Sequence, residues 1–374
     1  MTLRPFQLER FYAEHEFSVP LQLSASDCET LSVGELLETV GASPPDLLDL
    51  RLGYTETRGA PSLREAIAEH YPGRGAQDVL VGNSPQELIY LAVHALVEPG
   101  DRVVVMRPCY ASLEEVARSR GAEVTPWTAR LQGDAWRFDL DELEELLRTP
   151  TRLLVTNVPH NPTGFLPSPA EWERLGRLVE ASGARWFSDE MYHRLERSPE
   201  DALAPAASLV QGAVSLWGLS KSFGLPGLRL GWLVSADADL LTRAEVHKDY
   251  LSICANGVSE ALGERALRAA GTLLDRSRAR IRANADLMAA FTERHQDHVT
   301  WTPPQGGPVS LATLTQESAE AHSARIRSEA GVLLVHSTLF GLEDRHLRIG
   351  LGRAEFPQAL ELWERALVIA DRGQ

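Results

Sequence analysis

Short apolar runs alternate with amphipathic helical patterns between about residue 79 and residue 250. The apolar runs predict strands at 78–81, 102–106, 152–156, 184–188, 213–217 and 228–235, and the stretches between them, beginning with 85–97, predict helices. Strands that alternate with helices over this length predict a mainly parallel sheet with helices on both of its faces. Ligands bind such sheets outside the carboxyl ends of the strands, so we expect the chemistry of the protein there.

The pattern changes after residue 236, where long helical stretches at 236–250 and 258–294 precede short strands and a terminal amphipathic helix. This arrangement predicts a second, smaller α+β domain at the carboxyl end of the chain. We therefore predict three parts: an N-terminal segment (1–40) that packs with the small domain, a large domain (41–250) and the small domain (251–374).

The chain has 374 residues and a formal net charge of −15, with 37 basic and 52 acidic residues. This excess of acid argues against nucleic acid as a partner, because phosphate-binding surfaces need clustered Lys and Arg. The three cysteines, Cys28, Cys109 and Cys254, form no C-x-x-C pair, so neither a metal site nor a disulfide framework is predicted. No apolar run has the length of a membrane span or a signal peptide, so we expect a cytoplasmic protein without a membrane partner.

The strongest chemical signal is the segment 218–231, G-L-S-K-S-F-G-L-P-G-L-R-L-G. Lys221 lies shortly after the apolar run 213–217, at its carboxyl end, and a lysine held in a desolvated pocket has a lowered pKa and attacks carbonyl carbons. Arg229 lies eight residues later, and its planar guanidinium suits a phosphate. Two ordinary surface cations beside a loop remain an alternative for this pair alone.

The pattern S-K-x-F-G-L-x-G-x-R-x-G resembles the lysine motif of fold-type I pyridoxal 5'-phosphate (PLP) enzymes, the class I/II aminotransferase family. Further motifs of that family follow in family order from about residue 51 to residue 350. The resemblance implies a large PLP-binding α/β domain with a smaller α+β C-terminal domain. It also implies PLP held by Lys221 as a Schiff base, an α-amino acid as the substrate, and a homodimer with shared active sites.

Three further motifs supply residues for the cofactor ring. Asp189 follows the predicted strand 184–188, and a buried carboxylate there needs a cation, which a protonated pyridine nitrogen would supply. The resemblance implies that Asn161, in H-N-P-T-G, and Tyr192, in D-E-M-Y, bind the phenolic oxygen of the cofactor, although a plain turn would also explain the first motif. It implies that Tyr110, in P-C-Y, stacks on the ring.

The phosphate should lie at the helix start that follows the first predicted strand, because helix N-termini bind anions. The candidates share a position at that turn or beside Lys221; they are Ser84, Pro85, Gln86, Ser220 and Arg229. Two positions depart from the family pattern: Pro85 lacks an N–H, and Gly218 stands where many relatives have a phosphate-binding serine. The resemblance further implies that Tyr54 reaches the phosphate of the neighbouring subunit, but a surface loop is an equally good interpretation.

The resemblance implies that Arg348, in H-L-R-I-G, binds the substrate carboxylate, with Asn161 nearby. The side chain of the substrate is not identified, and five residues are unranked candidates for contacting it: Asp27, Arg58, His160, His193 and Lys248.

The resemblance implies an aminotransferase in which Lys221, Asp189 and Tyr192 act in catalysis through a quinonoid or carbanion intermediate. The alternative is a capreomycidine synthase-like enzyme of specialised metabolism, which uses the same first step for β-elimination and cyclisation or replacement on a hydroxylated arginine. The G-L-P-G-L-R loop, the H-N-P segment and Asp249-Tyr250-Leu251 point to that group, as does the start Ser24-Ala25-Ser26-Asp27, which lacks the usual G-E-P turn. A non-catalytic regulatory domain of the same fold is disfavoured, because it predicts the loss of Lys221 or Asp189.

Overall fold

The computed structural model describes residues 2–372. Met1 of the predicted N-terminal segment and residues 373–374 of the predicted small domain therefore lie outside the described residues. The helices are α1 (Gln7–His15), α2 (Val33–Thr39), α3 (Pro44–Leu48), α4 (Pro61–Ala68), α5 (Pro85–Leu96), α6 (Ser112–Ser119), α7 (Leu140–Leu147), α8 (Pro169–Ser182), α9 (Ala206–Leu209), α10 (Ala238–Asp249), α11 (Gly257–Arg268), α12 (Ala270–Arg294), α13 (Ala319–Ala330) and α14 (Phe356–Arg372). The strands are β1 (Leu21–Gln22), β2 (Val79–Gly82), β3 (Arg102–Arg107), β4 (Glu123–Thr128), β5 (Arg130–Gln132), β6 (Ala135–Arg137), β7 (Leu153–Asn157), β8 (Arg185–Asp189), β9 (Ala213–Gly218), β10 (Gly231–Val234), β11 (Val299–Trp301), β12 (Val309–Leu314), β13 (Val332–Leu333), β14 (Val335–His336) and β15 (His346–Gly350).

A seven-stranded sheet in the order β2-β10-β9-β8-β7-β3-β4 forms the centre of the protein. Its strands pair in parallel except for β10, which runs antiparallel to both β2 and β9. This confirms the predicted mainly parallel sheet. Every residue of β2, β7, β9 and β10 is buried, as expected for strands covered by helices on both faces.

Hydrophobic clusters cover both faces of this sheet. On one face, α5, α6 and α10 contribute side chains such as Ile89, Val116 and Leu241. On the other, α7 and α8 pack with aromatic side chains that include Trp172 and Trp186, and a further cluster covers β2, β9 and β10. The carboxyl ends of β7, β8 and β9 lie side by side at one end of the sheet.

A four-stranded antiparallel sheet in the order β11-β12-β15-β14 lies in the C-terminal part of the chain. Beside it lies a separate two-stranded sheet, in which β1 of the N-terminal segment pairs in parallel with β13 and places Leu21 opposite Val332. This pairing brings residues 23–29 alongside β15. The boundaries proposed for the three parts of the chain stay predictions.

Two local features differ from the sequence-based expectations. The stretch 258–294, expected as one helix, is two helices that are separated at Ala269, whose backbone leaves the helical region (φ −100°, ψ 17°). The hairpin formed by β5 and β6 was not expected; its strands are three residues long, and Gly133 provides the positive φ that its turn requires. Within residues 2–372, no helix combines the length and the apolar character that crossing a bilayer would require.

Candidate active site

A cavity of about 360 Å³ opens at the carboxyl ends of the parallel strands. Its lining includes most of the residues predicted for the site: Pro85, Gln86, Tyr110, Asn161, Asp189, Tyr192, Ser220, Lys221, Arg229 and Arg348. Ser84 and Tyr54 do not line it. The sheet topology therefore brings together motifs that are spread over more than 260 residues of sequence.

Lys221 is the third residue after β9 and projects its amine into the cavity, where Nζ donates to Ser26 Oγ at 2.8 Å. Burial lowers the pKa of the Lys221 amine, because removal from water disfavours the charged form. The chain contains two lysines in all. The other, Lys248, is fully buried and donates to the Thr57 carbonyl oxygen away from the cavity, so Lys221 is the lysine that a carbonyl compound in the cavity can reach.

Asp189 is the last residue of β8 and is 5% exposed. Its carboxylate accepts the Met191 N–H at 3.1 Å and has no cationic partner within hydrogen-bonding distance among the described side chains. Desolvation raises the pKa of Asp189 to about 7. A buried carboxylate in this state suits a ligand that brings its own positive charge, as a protonated pyridine nitrogen does.

The other end of the cavity is suited to an anion. The Ser220 Oγ is buried without a hydrogen-bond partner, and Arg229 has no acidic partner among the described residues. Both line the cavity together with Pro85 and Gln86 from the first turn of α5, where backbone N–H groups lack intrahelical acceptors. An unpaired cation, a free hydroxyl and a helix N-terminus are the groups that a phosphate requires.

The two departures from the family pattern at this end of the cavity are in contact with each other. A Cβ at position 218 would lie 2.9 Å from the Leu230 carbonyl oxygen and 3.1 Å from Pro85 Cγ. A side chain at position 218 would therefore crowd the Leu230 backbone and Pro85 at once. Gly218 and Pro85 pack against each other, and Ser220, Arg229 and the first turn of α5 remain the candidates for contacts to a phosphate.

Ser84 and Tyr54, both predicted to contact the phosphate, lie outside the cavity lining in the single chain. The Ser84 Oγ caps α5 by accepting the Glu87 N–H at 3.1 Å. Tyr54 is 91% exposed and lies on the surface. Ser84 therefore orients the helix that lines the cavity, and the contact of Tyr54 with the phosphate of a neighbouring subunit stays a prediction.

The residues predicted to surround the cofactor ring are held by a network of hydrogen bonds. Asn157, which the sequence reasoning missed, accepts the Asn161 N–H at 2.8 Å and donates to the Asp189 carbonyl oxygen at 3.0 Å. It therefore links Asn161 and Asp189. Tyr192 is 2% exposed and shares a hydrogen bond with Ser26, whereas the Tyr110 hydroxyl donates to Glu9 Oε1 at 2.7 Å.

Arg348 lies on β15 and is 1% exposed. Its guanidinium donates to the Ser24 carbonyl oxygen at 2.7 and 3.2 Å, to Asn161 Oδ1 at 3.2 Å and to the Tyr12 hydroxyl, and no described carboxylate pairs with it. A buried guanidinium with neutral partners that lines a cavity is suited to bind a carboxylate from a ligand.

The N-terminal segment supplies a wall of the cavity that the sequence reasoning largely missed. Glu9, Tyr12 and Glu16 line the cavity with spacings of three and four residues, and this helical periodicity is the signal that could have identified them. Asp27 is the one unranked substrate-contact candidate that lines the cavity. The other four have contacts elsewhere: Arg58 with Glu245, His160 with Thr163 and the Pro108 carbonyl oxygen, His193 with Trp217, and Lys248 with Thr57.

Comparison with known proteins agrees with this geometry. The family profile described as "Aminotransferase class I and II" matches residues 21–360. The chain belongs to that family. Among other aminotransferase-family proteins, it is 32% identical to capreomycidine synthase of Streptomyces vinaceus over 98% of this chain and 95% of that protein. It is 31% identical to arginine–pyruvate transaminase of Pseudomonas aeruginosa over 83% of this chain and 81% of that protein.

Solved structures extend the similarity of this aminotransferase-family chain to the fold. A PLP-dependent aminotransferase from Streptococcus suis superimposes with a TM-score of 0.93 at 25% identity, covering 99% of both chains. The PLP-dependent cyclase OrfR gives a TM-score of 0.92 at 30% identity, covering 99% of this chain and 98% of that chain. These matches confirm the predicted fold-type I architecture, and they confirm that this aminotransferase-family protein is an enzyme whose cofactor is PLP.

The raised pKa of Asp189 predicts that the free energy of unfolding of the cofactor-free protein depends on pH. Its proton is held more tightly in the folded state than in the unfolded state, so its contribution to stability is lost as the pH rises from about 4 to about 7. Relative to Asp189→Asn, the free energy of unfolding of the wild type should fall by about 2–4 kcal/mol over this range and then stay level. Urea denaturation at several pH values measures this difference.

Asp286→Asn is the matched control, because Asp286 is exposed on α12. Its stability relative to the wild type should not change with pH in this way. A difference between wild type and Asp189→Asn that is constant across the same range would show that the Asp189 carboxyl is not held protonated.

Proposed function

We propose that this PLP enzyme takes the α-proton from an arginine-type amino acid, with Lys221 as the base and Arg348 holding the substrate carboxylate. The observation that carries this proposal is the meeting of Lys221, Asp189 and Arg348 at one cavity whose N-terminal wall is acidic. The proposal assigns each end of a basic amino acid to a group of opposite charge.

The residues of the cavity fit the cofactor in distinct roles. Asp189 would keep the ring nitrogen protonated, Asn161 and Tyr192 would bind the phenolic oxygen, and Tyr110 would pack against the ring. When bound, PLP would supply a conjugated system that withdraws the electron pair left on the substrate carbon. Ser220, Arg229 and the first turn of α5 would hold the phosphate.

Lys221 and Arg348 divide the work on the substrate. Arg348 binds the carboxylate through its buried positive charge and the N–H on Nη1 that its protein partners leave free, and so fixes the α-carbon relative to the sheet. Lys221, once released from the cofactor, accepts the α-proton on Nζ. Burial lowers the pKa of this amine and so favours the neutral form, which is the form that can act as a base.

Three carboxylates at the cavity favour a substrate whose side chain carries a positive charge. Glu9 and Glu16 come from α1 and its C-cap, and Asp27 comes from the segment after β1; all three line the cavity. Asp27 is paired with Arg353, and Glu9 accepts one hydrogen bond from Tyr110, whereas Glu16 makes no side-chain hydrogen bond or ion pair among the described residues. Glu16 is therefore the carboxylate that is free to bind a guanidinium. Both named relatives with high coverage, capreomycidine synthase and arginine–pyruvate transaminase, support an arginine-type substrate.

Two outcomes can follow the common proton transfer. If the substrate carries a hydroxyl on the β-carbon, that hydroxyl can take a proton and leave as water. A guanidine nitrogen can then add to the β-carbon to close a ring, losing one proton while the α-carbon takes one back. The similarity to capreomycidine synthase and to a PLP-dependent cyclase over nearly the whole chain favours this outcome. Transamination is the second candidate, favoured by the similarity to arginine–pyruvate transaminase; there the amino group would stay on the cofactor, water would supply the oxygen of the departing keto acid, and Lys221 would carry the proton.

The purified enzyme should distinguish the two outcomes when it is incubated with β-hydroxyarginine, L-arginine and common amino acids, with pyruvate as the amino acceptor. Cyclisation yields a product that has lost water and kept its α-nitrogen, and transamination yields a keto acid and alanine; mass spectrometry measures both. A protein that gives neither product, and no borohydride-trapped cofactor on Lys221, would contradict the proposal.

Glu16→Gln should raise KM for the arginine-type substrate about tenfold and change kcat little, because a charged hydrogen-bond partner for the ground state is removed. Steady-state kinetics measures both constants. Glu14→Gln is the matched control, since the Glu14 side chain is 76% exposed next to the same helix end and does not line the cavity. Equal KM values for Glu16→Gln and the wild type would remove Glu16 from the binding site.

We further propose a homodimer in which Tyr54 reaches the active site of the neighbouring subunit. Exposed apolar side chains occur in two segments: the end of α3 and the loop before Tyr54 (Leu48 and Leu52), and the stretch after α10 (Tyr250 and Leu251). The two segments are neighbours, because Thr55 Oγ1 donates to the Ala255 carbonyl oxygen at 3.3 Å. An apolar surface of this kind favours burial against a second copy. The free cysteines fit a reducing compartment, and we propose a cytoplasmic location.

Subunit mixing tests the shared site. Tyr54→Ala and Lys221→Ala should each be impaired, and mixing them under conditions that exchange subunits should restore about a quarter of wild-type activity, because half of the dimers are hybrids with one native site. Sedimentation measures the dimer, and turnover measures the restored site. If mixing restores no activity, Tyr54 does not act across the interface.

A further inference from the structure

Ser26 places its hydroxyl against the reacting amine. The Lys221 Nζ donates to Ser26 Oγ at 2.8 Å, and the same hydroxyl shares a hydrogen bond with the Tyr192 side chain. Ser26 also lines the cavity. One side chain from the N-terminal segment therefore contacts both the nucleophile and the residue proposed to bind the phenolic oxygen.

The backbone around Ser26 is fixed on both sides. The Cys28 N–H donates to the Lys221 carbonyl oxygen at 3.3 Å, and the Glu29 N–H donates to the Gly352 carbonyl oxygen at 2.8 Å. Upstream, the Leu23 N–H donates to the Leu333 carbonyl oxygen at 3.0 Å. Because these bonds attach the segment to the lysine loop and to the small domain at once, the Ser26 hydroxyl has a defined position relative to Lys221.

The carboxylate of Asp27, the residue next to Ser26, does not accept a hydrogen bond from the Lys221 amine. Asp27 Oδ1 and Oδ2 accept from Arg353 Nε and Nη2 at 3.1 and 3.0 Å, so both oxygens are occupied by a guanidinium. The acceptor for the lysine amine is thus a neutral hydroxyl. A neutral acceptor holds the amine without the strong preference for the ammonium form that a carboxylate would impose.

We propose that Ser26 is a positioning residue that holds the released Lys221 amine at the cavity wall while the lysine acts as a base. This inference rests on the proposed function, in which Lys221 leaves the cofactor before it takes the α-proton. A neutral amine has two N–H groups and one lone pair. When one N–H is given to Ser26, rotation of the amine is restricted and the lone pair is left available for the α-proton.

Ser26→Ala removes the hydroxyl that accepts from the Lys221 amine and keeps the backbone hydrogen bonds of the surrounding segment. With L-arginine as the probe, the concentration that releases half of Lys221 from the cofactor should rise about fivefold, because the released amine loses one hydrogen bond. Borohydride trapping during incubation with L-arginine, followed by mass spectrometry, measures the attached fraction. The assignment is unambiguous because Lys221 is one of two lysines in the chain.

The same variant should exchange the α-proton of saturating L-arginine with solvent deuterium about tenfold more slowly, since the base is less well oriented. Proton NMR in deuterated solvent measures this exchange. Ser26→Thr, which keeps a hydroxyl at the same place, should restore both the release and the exchange.

Ser222→Ala is the matched control for the loss of a hydroxyl beside the lysine. The Ser222 Oγ donates to the Met191 and His193 carbonyl oxygens, each at 3.0 Å, and does not line the cavity. This variant should unfold at a lower temperature and keep the wild-type release and exchange. If Ser222→Ala reproduces the effects of Ser26→Ala, or if Ser26→Ala matches the wild type in both measurements, the role of Ser26 is refuted. If the wild type itself neither traps cofactor on Lys221 nor exchanges the α-proton, the proposed function fails instead.

Discussion

The structure depends on the placement of buried ionisable groups that lack a partner of opposite charge. Asp189 and Arg348 are 5% and 1% exposed, and the desolvated Lys221 amine lines the same cavity. Leaving such groups unpaired in a protein interior costs several kcal/mol each. The end of β8, the loop after β9 and the middle of β15 direct them at one cavity, where, in the proposed function, a ring cation and a substrate carboxylate would complete their interactions.

The sequence predicted the parts of this site that local order determines. Lys221, Asp189 and Asn161 lie at the end of an apolar strand or within four residues after it, and the carboxyl ends of parallel strands lie together, so their convergence follows from the alternating pattern. The same reasoning gave the sheet and the two-part architecture. It did not give the break between α11 and α12, where no glycine or proline stands at Ala269 itself to mark it.

The missed contacts share one physical cause, which is a large separation along the chain. Ser24 and Arg348 are bonded across 324 residues, and Ser26 and Lys221 across 195. These contacts exist because β1 pairs with β13, and a two-residue strand leaves almost no signal in the pattern of apolar positions. The packing of Gly218 against Pro85 was also missed, because the two residues are far apart in the sequence. Each looked like an isolated departure from the family pattern, and their mutual packing becomes evident once β9 and α5 are seen side by side.

The scarcity of lysine has a chemical consequence of its own. Arginine supplies nearly all of the positive charge of this chain, and guanidinium groups remain protonated and do not condense readily with aldehydes. Of the two primary amines on side chains, one is sealed in the interior against a backbone carbonyl oxygen. An aldehyde that diffuses over this protein therefore finds a surface that is almost inert toward it, and it has little to react with before it arrives at the mouth of the sheet.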